Sequence, residues 1–248
     1  MAIIIKNEYQ IDKIKESCKL AKKTLDFLEP HVKSGVSTEH LDVLATSFIK
    51  EHNAIPAPLN YNGFPKSICT SINEVICHGI PSDETVLKDG DILNIDVTTI
   101  LDGYYGDTCR MFKIGETSKE ANDLIDVTKK CLEIGINECK PNNHFGNIGY
   151  QIANYANLKG YSVVYQFSGH GVGLYFHEEP TVMHIATKNS GPLMQPGMIF
   201  TIEPMICIGT PMAVILNDGW TAVTKDKKLS AQYEHTVLIT NHGVEVLT

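Results

Sequence analysis

The chain has 248 residues and a formal net charge of −8, from 29 acidic and 21 basic side chains. This length allows a large core, and the sequence has no linker or low-complexity tract, so it predicts one domain over residues 1–248. The acidic balance argues against a DNA-binding protein, because phosphate contacts are made mainly by Lys and Arg. No apolar run approaches the ~20 residues of a membrane span. We therefore expect a cytoplasmic protein with no membrane contact.

Helices are predicted at the start of each half of the chain. Apolar residues spaced three and four apart predict an amphipathic helix over residues 8–29, stopped by Pro30. Ser37 and Thr38 are N-cap candidates for a second helix. The same pattern predicts helices near residues 118–139 and 145–159, the last ending at Gly160.

Strands are predicted between and after these helices. Alternating or β-branched runs indicate six of them, at residues 67–78, 91–99, 104–113, 162–170, 198–206 and 234–240. We expect an α+β fold in which helices cover one face of a curved antiparallel sheet. The other face is then left to hold polar side chains.

A hairpin is predicted at Asp102-Gly103, which is a strong signal for a two-residue turn. With these residues as the loop, Thr98 lies opposite Asp107, and Asp96 lies two residues away on the same face. The two carboxylates are then diagonal neighbours, roughly 7–8 Å apart at the backbone. The alternative is two unrelated aspartates that face solvent. If they do converge, a cation is required between them, because like charges would otherwise drive one acid to keep its proton.

An internal repeat supports convergence. The segment KDGDILNID, ending at Asp96, reappears as MQPGMIFTIE, ending at Glu203, at a constant offset of 107 positions. Upstream, CHGI around His78 is similar to GHGV around His170. These similarities predict two pseudo-symmetric halves, about 1–117 and 118–248, with the acids meeting where the halves join.

The potential metal ligands occur in the order Asp96, Asp107, His170, Glu203, Glu234, each in or beside a predicted strand. Four carboxylates and one imidazole without a thiolate suit Mn, Fe(II), Co or Zn in a reactive site rather than a structural zinc. The seven cysteines occur singly, with no C-x2-C pair, so they predict neither a zinc ribbon nor a disulfide framework.

Five strings carry a family resemblance: SINEVICHGIP, NIDVTTILDGYYGDT, SGHGVGLYFHEEP, PGMIFTIEP and LSAQYEHT. In order and spacing they resemble bacterial type I methionine aminopeptidase, from about residue 5 to the end of the chain. The resemblance implies the pita-bread fold and metal-dependent removal of the initiator methionine from nascent proteins, with a small second residue preferred. Only 31 positions separate Glu203 from Glu234, which leaves no room for the helical insertion of the type II enzymes.

The resemblance also implies roles for individual residues. Asp107 and Glu234 would bridge two divalent ions, His170 and Glu203 would complete one coordination sphere, and Asp96 would bind the other ion. Glu203 would also act as the general base. Two histidines that are not ligands, His78 and His177, would face the substrate amide, with His177 stabilising the developing oxyanion.

The methionine pocket implied by the resemblance is lined by Tyr61, Phe64, Cys69, Phe176 and Trp220, with Pro58 at its edge. Two residues depart from the family pattern. Asn62 stands where many bacterial relatives have histidine, and Pro58 stands where cysteine is common. Cys69 is interpreted as a small buried hydrophobe and not as a nucleophile. The remaining histidines of interest are interpreted as ordinary surface or core residues: His31, His40, His52, His144, His184 and His242.

Two other functions stay open on the sequence. One is another pita-bread peptidase, similar to X-Pro aminopeptidase or prolidase, and the other is a non-catalytic pita-bread binding module. The expected partners are nascent peptides with N-terminal Met and, transiently, the ribosome. The enzyme itself is expected to be a monomer.

Overall fold

A computed structural model describes residues 2–248. In the first half, two helices precede five strands: α1 (Glu8–Leu28), α2 (Thr38–Glu51), β1 (Ile55–Pro56), β2 (Cys69–Ile72), β3 (Val75–Cys77), β4 (Ile92–Leu101) and β5 (Tyr104–Lys113). In the second half, two helices precede ten strands: α3 (Lys119–Asn137), α4 (Gly146–Leu158), β6 (Ser162–Val163), β7 (Gly169–Gly171), β8 (Glu178–Val182), β9 (Ile199–Ile202), β10 (Met205–Cys207), β11 (Ala213–Ile215), β12 (Ala222–Thr224), β13 (Ser230–Gln232), β14 (His235–Ile239) and β15 (Val244–Val246).

The four predicted helices are confirmed, and the three whose bounds were predicted agree to within two residues at each end. Ser37 is the N-cap of α2, and its hydroxyl accepts from the His40 amide. Gly160 follows α4 with a φ of 82°, a left-handed conformation that glycine adopts without strain. No helix within residues 2–248 combines the length and apolar character that a membrane span requires.

Three predicted strands are wrong as continuous elements. Residues 67–78 form two strands, separated at Asn73, which has a φ of 53°. Residues 162–170 also form two, β6 and β7, with an irregular segment between them. The strand at 198–206 is interrupted at Glu203 and Pro204, because proline has no amide hydrogen to donate to a ladder.

The sheet pairings are all antiparallel, which confirms the predicted class. Breaks in the hydrogen-bond ladders divide the strands into four sheets, and the two larger ones are β1-β4-β2 with β5 on β4, and β15-β14-β9-β7-β8. The hairpin register is also confirmed, since Thr98 pairs with Asp107 and Leu101 with Tyr104. Asp102 and Gly103 form the turn, with φ values of 52° and 83°.

Two large hydrophobic cores lie under the two helix pairs. In the first, α1 and α2 pack apolar residues such as Leu25 and Leu41 against Leu93 and Ile95 of β4. In the second, α3 and α4 pack against strands that include Phe200. The strands that hold the predicted ligands therefore have rigid, buried support on both sides of the molecule.

Candidate metal centre and its pocket

The residues predicted to form the site all line one cavity of about 420 Å³. They are Tyr61, Phe64, Cys69, His78, Asp96, Asp107, His170, Phe176, His177, Glu203, Trp220 and Glu234. Pro58 and Asn62 line it as well. The structure thus brings together side chains that are spread over more than half of the chain.

The β4–β5 hairpin positions the first two carboxylates. Asp96 pairs with Cys109 and Thr98 with Asp107, so the two acids are diagonal neighbours as predicted. Thr98 Oγ1 donates to Asp107 Oδ1 at 2.7 Å. This bond orients the Asp107 carboxylate and leaves Oδ2 directed into the cavity, 3.7 Å from His170 Nε2.

His170 contributes the one imidazole of the cluster from β7. Its Nδ1 lies 3.0 Å from the Gly171 carbonyl oxygen, so Nδ1 carries the proton and donates. The other ring nitrogen, Nε2, therefore has a free lone pair directed at the acids. One ligand atom from each of Asp107, His170 and Glu234 lies within 4.8 Å of the other two, a spacing that one metal ion could fill.

Glu203 completes the wall opposite Asp107, with Oε1 3.7 Å from His170 Nε2. Thr201 Oγ1 donates to Oε1 at 2.7 Å, and Gln232 Nε2 donates to Oε2 at 3.2 Å. His184 Nε2 accepts from the Glu203 amide at 3.1 Å. The interpretation of His184 as a satisfied core residue is therefore confirmed, since the residue is buried and hydrogen-bonded.

Burial dominates the electrostatics of the cluster. Loss of hydration raises the pKa of Asp107 to about 7, and it raises the pKa values of Asp96, Glu203 and Glu234 well above their usual range. Neighbouring carboxylates add to the rise for Asp96, Glu203 and Glu234. Burial also lowers the pKa of His170 to about 3, so this imidazole is neutral at physiological pH. Four acids that resist ionisation beside a neutral imidazole fit a site for a divalent cation, whose charge would keep all four ionised.

The two other predicted histidines lie beside this cluster. The rings of His170 and His177 are 4.2 Å apart between centroids. Tyr61 Oη lies 2.9 Å from His177 Nδ1, a hydrogen bond that ties the imidazole to the aromatic wall. His78 makes edge contacts with Phe167 and Trp220, at centroid distances of 5.5 and 6.1 Å.

The aromatic slot is built from two pairs of rings in contact. Phe64 packs edge-on against Trp220 at 5.2 Å, and Tyr61 packs against Phe176 at 4.7 Å. Cys69 pairs with Asp96 across β2 and β4 and lines the same cavity. Burial and the nearby Asp96 charge raise the pKa of its thiol well above the ordinary value. A thiol in this environment stays protonated, so the slot offers a small apolar group there and not a nucleophile.

Several residues of the candidate site were not predicted from the sequence. Thr201 and Gln232 hold Glu203, and four further residues line the cavity: Gln166, Phe167, Ser168 and Met205. The signal for two of them was present, because Thr201 and Gln232 each lie two positions before a predicted ligand. In extended chain such residues share a face with that ligand. Nothing local marks Gln166 or Met205.

A buried group of four carboxylates and one neutral imidazole beside an aromatic slot is typical of a metal-dependent hydrolase. Residues 12–241 match the model of metallopeptidase family M24, and the chain belongs to this family.

Relatives match the chain along its whole length. Methionine aminopeptidase A of Synechocystis sp. is 51% identical, over 99% of this chain and 97% of that protein. The crystal structure of methionine aminopeptidase from Rickettsia prowazekii is 49% identical, with a TM-score of 0.98 and complete coverage of both chains. The X-Pro aminopeptidase from Thermotoga maritima shares the fold at 20% identity and a TM-score of 0.78, with only 61% of that chain covered. These likenesses confirm the pita-bread fold.

Proposed function

We propose that the chain is a methionine aminopeptidase that removes the initiator methionine from nascent proteins and prefers a small second residue. The observation that carries this proposal is that the buried acid cluster and the aromatic slot line one and the same cavity. Full-length similarity to methionine aminopeptidases at about half identity supports it.

The proposed ligands of two divalent ions are Asp96, Asp107, His170, Glu203 and Glu234. The donor set fits Co, Mn, Fe(II) or Zn, because it joins hard carboxylate oxygens to one borderline nitrogen. When bound, such ions polarise a carbonyl and increase the acidity of water. Thr98, Thr201 and Gln232 would keep the carboxylates turned toward the cavity, since each donates a hydrogen bond to one of them.

Three side chains would then handle the proton and the substrate oxygen. Glu203 acts as the general base, because its carboxylate lies in the cavity and is held by two donors that leave further lone pairs free. His177 stabilises the developing oxyanion. If the Tyr61 hydroxyl donates to His177 Nδ1, the ring proton resides on Nε2, which becomes a donor for the substrate. His78 faces the same amide from the Trp220 side.

Specificity for methionine would come from the slot formed by Tyr61, Phe64, Cys69, Phe176 and Trp220. An unbranched thioether fits between stacked and edge-on rings, and sulfur–aromatic contacts add roughly 0.3–1.5 kcal/mol to burial. A branched side chain would clash with the Phe64–Trp220 pair. Leucine and valine peptides should therefore be poor substrates.

We also propose that the protein is one domain of two duplicated halves, about 1–117 and 118–248. Supporting this, each half has a helix pair over its own core, and Gly90 and Gly197 hold matching left-handed conformations before β4 and β9. The proposed setting is the cytoplasm, with the enzyme a monomer that meets nascent chains transiently at the ribosome. Seven buried free thiols suit a reducing compartment.

The test is hydrolysis of a peptide panel by metal-free protein reloaded separately with Mn, Fe(II), Co or Zn. The panel contains peptides beginning Met-Ala, Leu-Ala, Met-Lys and Ala-Pro, and N-formyl-Met-Ala. We expect cleavage of Met-Ala far above the others, with the difference in kcat/KM. Preferential cleavage before proline would favour the X-Pro peptidase alternative, and tight metal binding without any cleavage would favour a binding module. Equal turnover of formylated and free methionine would contradict the proposal.

A further inference from the structure

The segment that carries two site residues is only partly buried. It comprises residues 173–177, between β7 and β8, and includes Phe176 and His177. Tyr175 is 64% exposed, and His177 lies at the open rim of the cavity. Within the segment, the Gly173 amide donates to the Tyr175 carbonyl at 3.2 Å. Its two ends have external contacts, since the Tyr105 amide donates to the Gly173 carbonyl at 2.9 Å and Tyr61 Oη contacts His177 Nδ1. The backbone amides in the middle of the segment need a further anchor.

Glu178 supplies an anchor from the first position of β8. Its Oε1 accepts from the amides of Leu174 and Tyr175, at 2.6 and 2.9 Å. Glu178 itself is fixed in the sheet, because it pairs with Gly171 of β7. One carboxylate oxygen therefore gathers the turn immediately before Phe176 and His177.

Lys6 holds the other oxygen of the same carboxylate. Its Nζ donates to Glu178 Oε2 at 2.6 Å, and the two side chains are 1% and 2% exposed. Lys6 is fixed through its amide, which donates to the Gly197 carbonyl at 2.9 Å. Burial lowers the pKa of Lys6, and the Glu178 carboxylate opposes this shift. Lys6 is thus a buried ammonium that does not line the catalytic cavity.

Stability alone is a poor explanation for this pair. A buried ion pair is costly to desolvate, and apolar residues of similar volume often serve a fold equally well or better. The pair does fix the orientation of the Glu178 carboxylate, because the ammonium bonds one oxygen and leaves the other to accept from the two amides. The geometry therefore specifies the conformation of residues 173–177.

We propose that Lys6, acting through Glu178, is a positioning residue for His177 and Phe176. This inference rests on the proposed function in assigning a catalytic role to His177. Without the ammonium, the buried carboxylate has lost its partner for one oxygen and is free to turn, so its hold on the two amides weakens. A displacement of about 1 Å in a catalytic group can cost on the order of a hundredfold in rate.

The test is a double-mutant cycle between Lys6→Met and His177→Ala. Lys6→Met should lower kcat by roughly tenfold to a hundredfold, with metal content unchanged. In the His177→Ala background, the same substitution should change kcat by less than about twofold, because coupled residues are not additive. Glu178→Gln preserves the side-chain volume but removes the charge that pairs with Lys6, so it should also lower kcat in the same cycle. It takes the place of Lys6→Met if that variant does not fold.

A second measurement is independent of turnover. Amide hydrogen exchange should accelerate at Leu174 and Tyr175 in Lys6→Met, while the core under α1 and α2 stays protected. Lys15→Met is the matched control, because it breaks the partly exposed Lys15–Glu245 ion pair, which does not touch this segment. It should leave both exchange and kcat at wild-type values.

Three results would overturn the inference: wild-type kcat in folded Lys6→Met, an equal loss of kcat with and without His177, or unchanged exchange at Leu174 and Tyr175. Failure of the wild-type protein to cleave any Met peptide would instead reject the proposed function. The exchange measurement would still decide whether Lys6 holds the segment.

Discussion

Single hydroxyl and amide side chains determine how the buried carboxylates can turn. Thr98 holds Asp107, and Thr201 holds Glu203 while also accepting from the His170 amide at 3.0 Å. The Thr201 hydroxyl has one hydrogen, which it donates to the Glu203 carboxylate. A lone pair on the same hydroxyl oxygen accepts from the His170 amide. Two proposed ligands are thereby oriented by one side chain, and their lone pairs remain available to a cation.

The two neighbouring histidines should respond differently to removal. His177→Ala should lower kcat by roughly two to three orders of magnitude, the usual loss for one oxyanion donor, and leave metal content unchanged. His170→Ala removes a proposed ligand, so metal affinity should fall and excess metal should restore part of the rate. Elemental analysis and kinetics on both variants check this. Loss of metal from His177→Ala with retention in His170→Ala would reverse the assignment.

Tyr61→Phe isolates the contact with His177. The ring stays in the slot but the hydroxyl that bonds Nδ1 is lost, so the imidazole is no longer held in one tautomer and orientation. We expect kcat to fall by about tenfold, with KM for methionine peptides little changed. Steady-state kinetics measure both. A rise in KM at constant kcat would show that Tyr61 only binds the side chain.

Among the elements, α1 packs unusually closely on β5. A Cβ built on Gly106 would lie 2.3 Å from the Cys18 nitrogen and 2.4 Å from the Ser17 carbonyl carbon, both in the backbone of α1. Ser17 Oγ donates to the Thr99 carbonyl, which anchors the same turn of the helix to β4. Asp107 follows Gly106 directly, so this contact helps to set the depth of a proposed ligand.

Gly106→Ala should therefore destabilise the protein by about 3 kcal/mol, at the upper end of overpacking costs, because the clash is with helix backbone and cannot be relieved by a rotamer change. Gly103→Ala is the control in the same hairpin. A Cβ added at Gly103 would have no atom within 4 Å. Only the φ of 83° is unfavourable for alanine, so the expected loss of stability is about 1 kcal/mol. Urea unfolding measures both, and equal losses would contradict the close-packing argument.

Across the whole molecule, side chains from one half hydrogen-bond the backbone of the other around the acids. Asn94 Nδ2 donates to the Gln232 carbonyl and Thr108 Oγ1 to the Glu234 carbonyl, each at 2.8 Å. In the opposite direction, Thr236 Oγ1 donates to the Asp107 carbonyl at 2.7 Å. Both halves supply acids to one cluster. The charge of that cluster therefore affects the stability of the whole folded protein.

Metal binding should accordingly stabilise the protein more as the pH rises. The raised pKa values mean that the metal-free folded state is more stable when these acids are neutral. This contribution to stability is fully present below about pH 4. It is lost as the pH rises through about 7, the pKa of Asp107. A cation binds the ionised acids, so each displaced proton strengthens binding about tenfold per pH unit in that window. The increase in Tm on adding Mn should thus be larger at about pH 7.5 than at about pH 5.5. An increase in Tm that does not depend on pH would contradict the raised pKa values of the acids.

Local patterns predicted most of the framework. Two helices end two residues before Pro30 and Gly160, and the hairpin register follows from Asp102-Gly103, because capping and turn residues act on their immediate neighbours. The strands at 162–170 and 198–206 were predicted too long. Apolar runs alone do not show where a chain must leave one sheet and join another.

The sequence by itself determined the order and chemical type of the proposed ligands, the diagonal placement of Asp96 and Asp107, and the family to which the motifs belong. Only the tertiary structure decided which side chains hold that site in place. Tyr61 meets His177 across 116 positions and Lys6 meets Glu178 across 172. Such contacts leave no periodic trace along the chain, because they arise from how separately formed elements pack together and not from the spacing within any one of them.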